Sequence, residues 1–213
     1  MAMLYETVNH LDHTGKAGKA GNIYFCTNTT QVQVSIRCLF VMLFLTTTVR
    51  SSAQYFTVTP DGLRDADDTA KTFLMIEVPG HSAKQLYDSM LVFIQKNYIL
   101  PDEVVSNRVD GVGLAFDSYV PELLEYSRSW ARMSVEATYA TEMKFYDGQF
   151  SYEVFNLDMR GADNNYPLLF KGRLLKGYIV YKPDGSLYKP KAKADIEQFF
   201  NNMVARINGF LQK

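Results

Sequence analysis

The chain has little cysteine, histidine or tryptophan: 2, 3 and 1 of its 213 residues. Both cysteines, Cys26 and Cys38, precede residue 54, so the rest of the chain carries no disulfide framework and no thiol chemistry. His81 is the one histidine after residue 53, which leaves too few ligands for a histidine-based zinc or hydrolytic centre. Neither charge sign is in excess. Lys and Arg number 22 against 23 Asp and Glu, a net charge of -1, so no basic surplus exists to neutralise phosphates and a nucleic-acid partner is not expected. No apolar run reaches the ~20 residues that a helical membrane span requires. What remains is 47% hydrophobic and 14% aromatic, enough to bury a sizeable core.

The longest apolar run is Cys38-Leu39-Phe40-Val41-Met42-Leu43-Phe44-Leu45, preceded by Arg37 and followed by small residues at Ser51 and Ala53. A basic flank, a short apolar segment and a small-residue cleavage site are the parts of a secretory signal, here residues 35–53, with the mature chain starting at Gln54. Residues 1–34 are polar and rich in Gly and Lys around Thr14 to Gly21, without helical or strand periodicity. They read as a disordered or non-native extension, with translation starting near Val34. The remaining 160 residues hold 18 Lys and Arg against 21 Asp and Glu, a net charge of -3. Cys38 begins the apolar run rather than following it, so a lipoprotein anchor is not indicated.

Residues 54–71 read as a polar leader and 72–213 as a single domain. Phe73 to Val78 is an apolar run ended by Pro79-Gly80, a buried strand and a turn. Ser82 then caps a helix with Gln85 in the capping-box position, and Leu86, Met90, Phe93, Ile94 and Tyr98 recur at helical spacing until Pro101. Asp110-Gly111 turns between Val104–Arg108 and Val112–Ser118. From Met133 to Phe145 the residues alternate apolar and polar, a strand with one wet face, and Asp147-Gly148 leads into Phe150–Leu157. Asp163 to Asn165 reads as loop, Leu174 to Tyr181 as strand and Pro183 to Gly185 as turn. The end is a long helix, Ala192 to Leu211, with Ile196, Phe199, Phe200, Met203, Val204, Ile207, Phe210 and Leu211 on one stripe. The order predicts an α+β two-layer fold: an antiparallel sheet with one face covered by an N-terminal and a long C-terminal helix.

Val78-Pro79-Gly80-His81-Ser82, then Leu86-Tyr87 and Lys96-Asn97-Tyr98, resembles the opening of the domain-of-unknown-function 4468 family of exported bacterial proteins. The similarity continues through Asp110-Gly111-Val112-Gly113, Tyr146 to Phe150 and Phe200-Asn201-Asn202, spanning about Thr72 to Leu211. Each motif is short and nonspecific, and it is their order that carries the resemblance. The stretches 120–132 and 166–189 depart from the family in being longer and more aromatic. The resemblance implies a fold like TATA-binding protein, a curved antiparallel sheet with helices on one side. It also implies export to the periplasm or envelope of a Gram-negative bacterium. It brings no catalytic residues, and DNA binding does not follow from it, since Glu136 and Glu142 sit on the wet face of a domain of net charge -3.

Other chemistries lack their residue patterns. Asp61, Asp65, Asp67 and Asp68 miss the spacing of a calcium loop and read as solvated linker. Gly80 to Lys84 fails the nucleophile-elbow pattern at its last position. Ser186 to Lys189 matches S-x-x-K in a turn region only. Gly15 to Gly21 lacks the strand and the Ser or Thr of a phosphate loop. Glu122 and Glu125 fall on a helical turn as solvated carboxylates. No catalytic, cofactor or metal site is therefore expected. Tyr126, Trp130 and Arg132 have two readings: core packing, or an aromatic and cationic surface for a ligand or partner. The functional expectation is an exported, non-enzymatic domain that binds a protein partner or small ligand in the cell envelope. The alternatives are a cavity-type lipid or hydrophobe carrier and, after it, an enzyme of unrecognised type.

Overall fold

The computed structural model describes residues 54–213 apart from Ser129, Trp130 and Asn164 and the side chains of Arg128 and Ala131. Alternation builds its sheet. Along β6 (Ala131–Tyr146) the side chains of Val135, Ala137, Tyr139, Thr141, Met143 and Phe145 are buried, and Glu136, Thr138, Glu142 and Lys144 take the opposite face. Asp147-Gly148 turns the chain into β7 (Gln149–Gly161) with Phe145 opposite Phe150. Gly148 sits at φ +76°, a left-handed conformation that glycine adopts without steric cost. β5 (Gly113–Arg128) pairs with the other edge of β6, and the Asp110-Gly111 turn joins it to β4 (Val105–Val109). With β3 (Phe73–Glu77) against β7, the order is β3-β7-β6-β5-β4, antiparallel throughout. Register shifts between Val120 and Leu124 in β5, and across from Thr138–Ala140 in β7, bend the long strands, so the sheet is curved and open.

Both main helices cover one face. In α1 (Ala83–Asn97) the Ser82 hydroxyl accepts from Gln85 N–H and the Gln85 side chain accepts from Ser82 N–H, which closes the expected capping box. Asp147 also accepts from Ala83 N–H at 2.9 Å, tying the helix start to the β6–β7 turn. Pro101, expected only to stop this helix, begins a separate turn, α2 (Pro101–Val104). α3 (Pro190–Leu211) buries Ala192, Ile196, Phe200, Val204, Ile207 and Leu211 against the sheet. Edge-to-face rings lock the layers: Tyr87 on Phe145, Tyr139 on Phe200, and Phe93 on Phe210 between the helices. The α+β two-layer expectation holds, and among the described residues no helix is long and apolar enough to cross a membrane.

Four local readings change. Residues 54–71 are not merely a leader: β1 (Phe56–Thr59) and β2 (Gly62–Asp65) form a hairpin whose Phe56 and Val58 are buried. Asn201 of α3 accepts from Tyr55 and Phe56 N–H (3.0 and 2.6 Å) and donates to Phe56 O (3.1 Å), standing in for a neighbouring strand. Asp65 and Asp68 close local turns by accepting from Asp67 and Ala70 N–H. Secondly, the stretch 120–132 completes β5 and enters β6, so Glu122 and Glu125 lie on a bulged strand rather than a helical turn. Thirdly, β8 (Leu168–Lys171) pairs in parallel with β9 (Tyr178–Tyr181), whereas residues 174–177 form a turn and not the start of a strand. Finally, β3 is an edge strand buried on one face only, with Phe73 and Met75 exposed.

Candidate functional site

β4 ends where its pairing reaches Val105 opposite Phe116, and past that point β5 has no strand on its outer edge among the described residues. Phe145 N–H donates to Val112 O at 2.8 Å, which makes alternate residues from Val112 to Val120 the bonded partners of β6. By that alternation Tyr119 turns its N–H and C=O outward, toward the open edge. The chain leaving α1 overhangs the same place, with Ile99 97% and Leu100 54% exposed.

A cleft opens under this overhang. One lobe of about 410 Å³ reaches Phe93 and Tyr98 of the α1 end and Met203 and Arg206 of α3. A second of about 520 Å³ continues over Glu103, Thr138 and Asn156. Leu100, Val104, Asp117, Tyr119 and Tyr139 line both. The β7 bulge supplies Asn156, held at φ +52°. The walls are chiefly apolar, with Arg206 in the first lobe, Glu103 in the second and Asp117 in both. Tyr119, 61% exposed, is steadied by its hydroxyl donating to Glu136 at 2.9 Å.

Hydroxyls run from the cleft into the core. Tyr98 and Ser118 share a hydrogen bond of 2.9 Å, and the Tyr98 ring meets Phe116 edge to face. Burial pushes the Tyr98 phenol above its ordinary range, against the opposing pull of Ser118 and the Arg206 charge. Burial likewise raises the phenols of Tyr139 and of the more deeply buried Tyr152. All three stay neutral near pH 7, able to donate and accept hydrogen bonds. Thr141 Oγ1 is buried and makes no hydrogen bond among the described residues.

The residues singled out from sequence lie elsewhere. Tyr126 is 1% exposed, stacked on Tyr178 at 4.6 Å with its hydroxyl donating to Ile179 O, so it packs the core and offers no outer surface. Arg132 is exposed at the start of β6, opposite Ser127. Trp130 lies outside the described residues. His81 faces Pro79 O at the helix start, and Ser186 is held by Asp184 in its turn. The cleft residues were missed because a cleft made by one strand ending early leaves no motif. The signals that were present are the exposed pair Ile99-Leu100 before Pro101 and a strand, β5, much longer than its partner β4. Among the described residues no three His, Cys, Asp or Glu side chains are placed to hold a metal ion.

No family model matches the chain, and no curated protein matches it. Two solved structures do. One is a domain-of-unknown-function 4468 family protein from Bacteroides ovatus, 12% identical over 64% of this chain and 84% of that one, with a TM-score of 0.40. The other is a TBP-like protein from Parabacteroides distasonis, 15% identical over 66% of this chain and 91% of that one, with a TM-score of 0.46. The two bear the family and fold names that the order of motifs suggested, and neither is described by an activity, a ligand or a partner.

Proposed function

We propose that this is an exported, non-enzymatic domain of the cell envelope that binds a protein partner by adding an extended segment of it to the outer edge of β5. The observation that carries the reading is a coincidence of place: β5 loses β4 after Phe116 where the apolar cleft opens beside it. An unpaired edge offers backbone hydrogen bonds, and an adjoining pocket offers selectivity for one side chain of the added strand. Glu103 and Asp117 on the rim favour a cationic residue next to the apolar one. A carrier with an enclosed chamber under α3 fits poorly, since Ile196, Phe200, Val204 and Ile207 fill that space.

A displayed peptide library selected on the protein supplies the probe. Tyr119→Pro removes the outward N–H without touching the β6 ladder, while Tyr119→Ala keeps it. Peptide binding should fall more than about tenfold further in the proline variant than in the alanine variant, a net hydrogen bond and the ring clash together. Equal binding by the two variants would rule out strand addition. Export is tested separately, by cell fractionation and mass spectrometry of the mature amino terminus; a chain confined to the cytoplasm that retains Tyr5 or Tyr24 would refute it.

A further inference from the structure

The charge of residues 54–213 is unevenly placed. Residues 171–189 carry five cations, Lys171, Arg173, Lys176, Lys182 and Lys189, against one carboxylate, Asp184, a net +4. Everything else from 54 to 213 has 13 cations against 20 carboxylates, a net -7. None of the five cations has a salt-bridge partner among the described residues, although elsewhere seven ion pairs form. Asp184 is occupied in its own turn, accepting from Ser186 N–H and hydroxyl.

The loop between β8 and β9 places two of these cations, Arg173 and Lys176, beside an exposed leucine. Leu175 is 90% exposed, between Arg173 and Lys176. The loop is a built turn: Gly172 N–H donates to Tyr181 O and Lys176 N–H to Arg173 O. A Cβ on Gly177 would lie 2.6 Å from Pro167 O, so only glycine permits this close return of the chain. Lys182 and Lys189 both lie over the Tyr188 ring, and Leu187 beside it is 43% exposed. Cations interleaved with exposed leucine and half-buried tyrosine match the layered chemistry of a bilayer surface, anionic headgroups above apolar chains.

We propose that this lobe docks the protein peripherally on an anionic lipid bilayer, with Leu175 entering the headgroup boundary and Lys171, Arg173 and Lys176 against lipid phosphates. A polyanion such as nucleic acid would use the cations but leave Leu175 idle, and the surrounding net -7 would oppose wrapping. The proposal stands apart from the β5 cleft and shares none of its residues.

The test is co-sedimentation of the full chain with phosphatidylcholine vesicles, with and without phosphatidylglycerol. Lys171→Gln/Arg173→Gln/Lys176→Gln is compared with a control of equal charge change, Lys84→Gln/Lys96→Gln/Lys144→Gln. Binding should require phosphatidylglycerol, weaken steeply with salt, and fall on the order of 100-fold in the lobe variant, about fivefold per cation. The control should keep most of it. Leu175→Asp should cost about tenfold or more on vesicles, and Leu175→Ser, which adds no charge, should also weaken vesicle binding while leaving heparin binding unchanged. Because the loop is exposed, unchanged far-ultraviolet circular dichroism in Leu175→Asp separates this from misfolding. Equal losses in lobe and control variants, equal binding to neutral vesicles, or a Leu175→Asp variant that binds like the parent would each overturn the proposal. Displacement by inorganic phosphate at matched ionic strength would do so too, by pointing to a phosphate site instead of a bilayer.

Discussion

One oxygen of the Glu197 carboxylate accepts from Val58 N–H and the Thr57 hydroxyl, both at 2.8 Å, and from the Lys193 ammonium. Burial pushes this carboxyl up, but those hydrogen bonds outweigh it and leave the group below its ordinary value. A carboxylate lowered in the folded state stabilises fully above its unfolded value of about 4.3, and that contribution disappears as pH falls through the folded value. Wild type should therefore lose melting temperature between about pH 5 and pH 3 more steeply than Glu197→Gln. At pH 7 the variant should be about 1–2 kcal/mol less stable, having exchanged charged for neutral hydrogen bonds. Parallel melting curves over that acid range would contradict the assignment. At the cleft, Tyr98→Phe removes the 2.9 Å bond to the mostly buried Ser118 hydroxyl. A chemical-denaturation loss of about 0.5–1.5 kcal/mol is expected, with the fold unchanged.

Among the elements, the β1–β2 hairpin has the least support of its own: two four-residue strands whose free edge is satisfied by side chains, Asn201 at Tyr55 and Phe56, and Glu197 and the Tyr181 hydroxyl at Val58. Asn201→Ala should release it selectively. Hydrogen exchange at Phe56 and Val58 should accelerate at least tenfold while Met143 and Phe150 in the central strands stay protected. Uniform acceleration would mean that the hairpin unfolds only with the whole domain. This hairpin was also the element hardest to read from sequence. Phe56-Thr57-Val58-Thr59 alternates and Pro60-Asp61-Gly62 is a turn, but four residues are too few to stand out beside the aspartates that follow. The long elements were readable because their periods persist: β6 alternates from Val135 to Phe145, and α3 repeats its apolar stripe over twenty-two residues. β8 went unread and β9 was begun four residues early, because Leu174-Leu175 imitates a strand while forming a turn. Tyr126, read from sequence as either core or contact surface, is buried; one sequence cannot say which face of a bulged strand an aromatic takes.

For the molecule as a whole, the sheet has a single covered face, so its stability depends on keeping both helices in place. α3 alone contributes Ile196, Phe200, Val204, Ile207 and Leu211, each at most 2% exposed, and Asn201 and Glu197 fasten β1 to it. Five such side chains at about 1.5–3 kcal/mol each give roughly 7–15 kcal/mol of gross burial, an upper bound. That equals the entire net stability of an ordinary domain, about 5–15 kcal/mol. A chain ending at Asp195 cannot recover this loss elsewhere, because β6 and β7 would expose Tyr139, Met143 and Tyr152 from a face built to be covered. The truncated protein should lose near-ultraviolet circular dichroism, bind a hydrophobic dye and melt without a cooperative transition. A sharp melt from that chain would show that α1 and the sheet form a self-sufficient core, and that α3 is an addition to the fold and not its second wall.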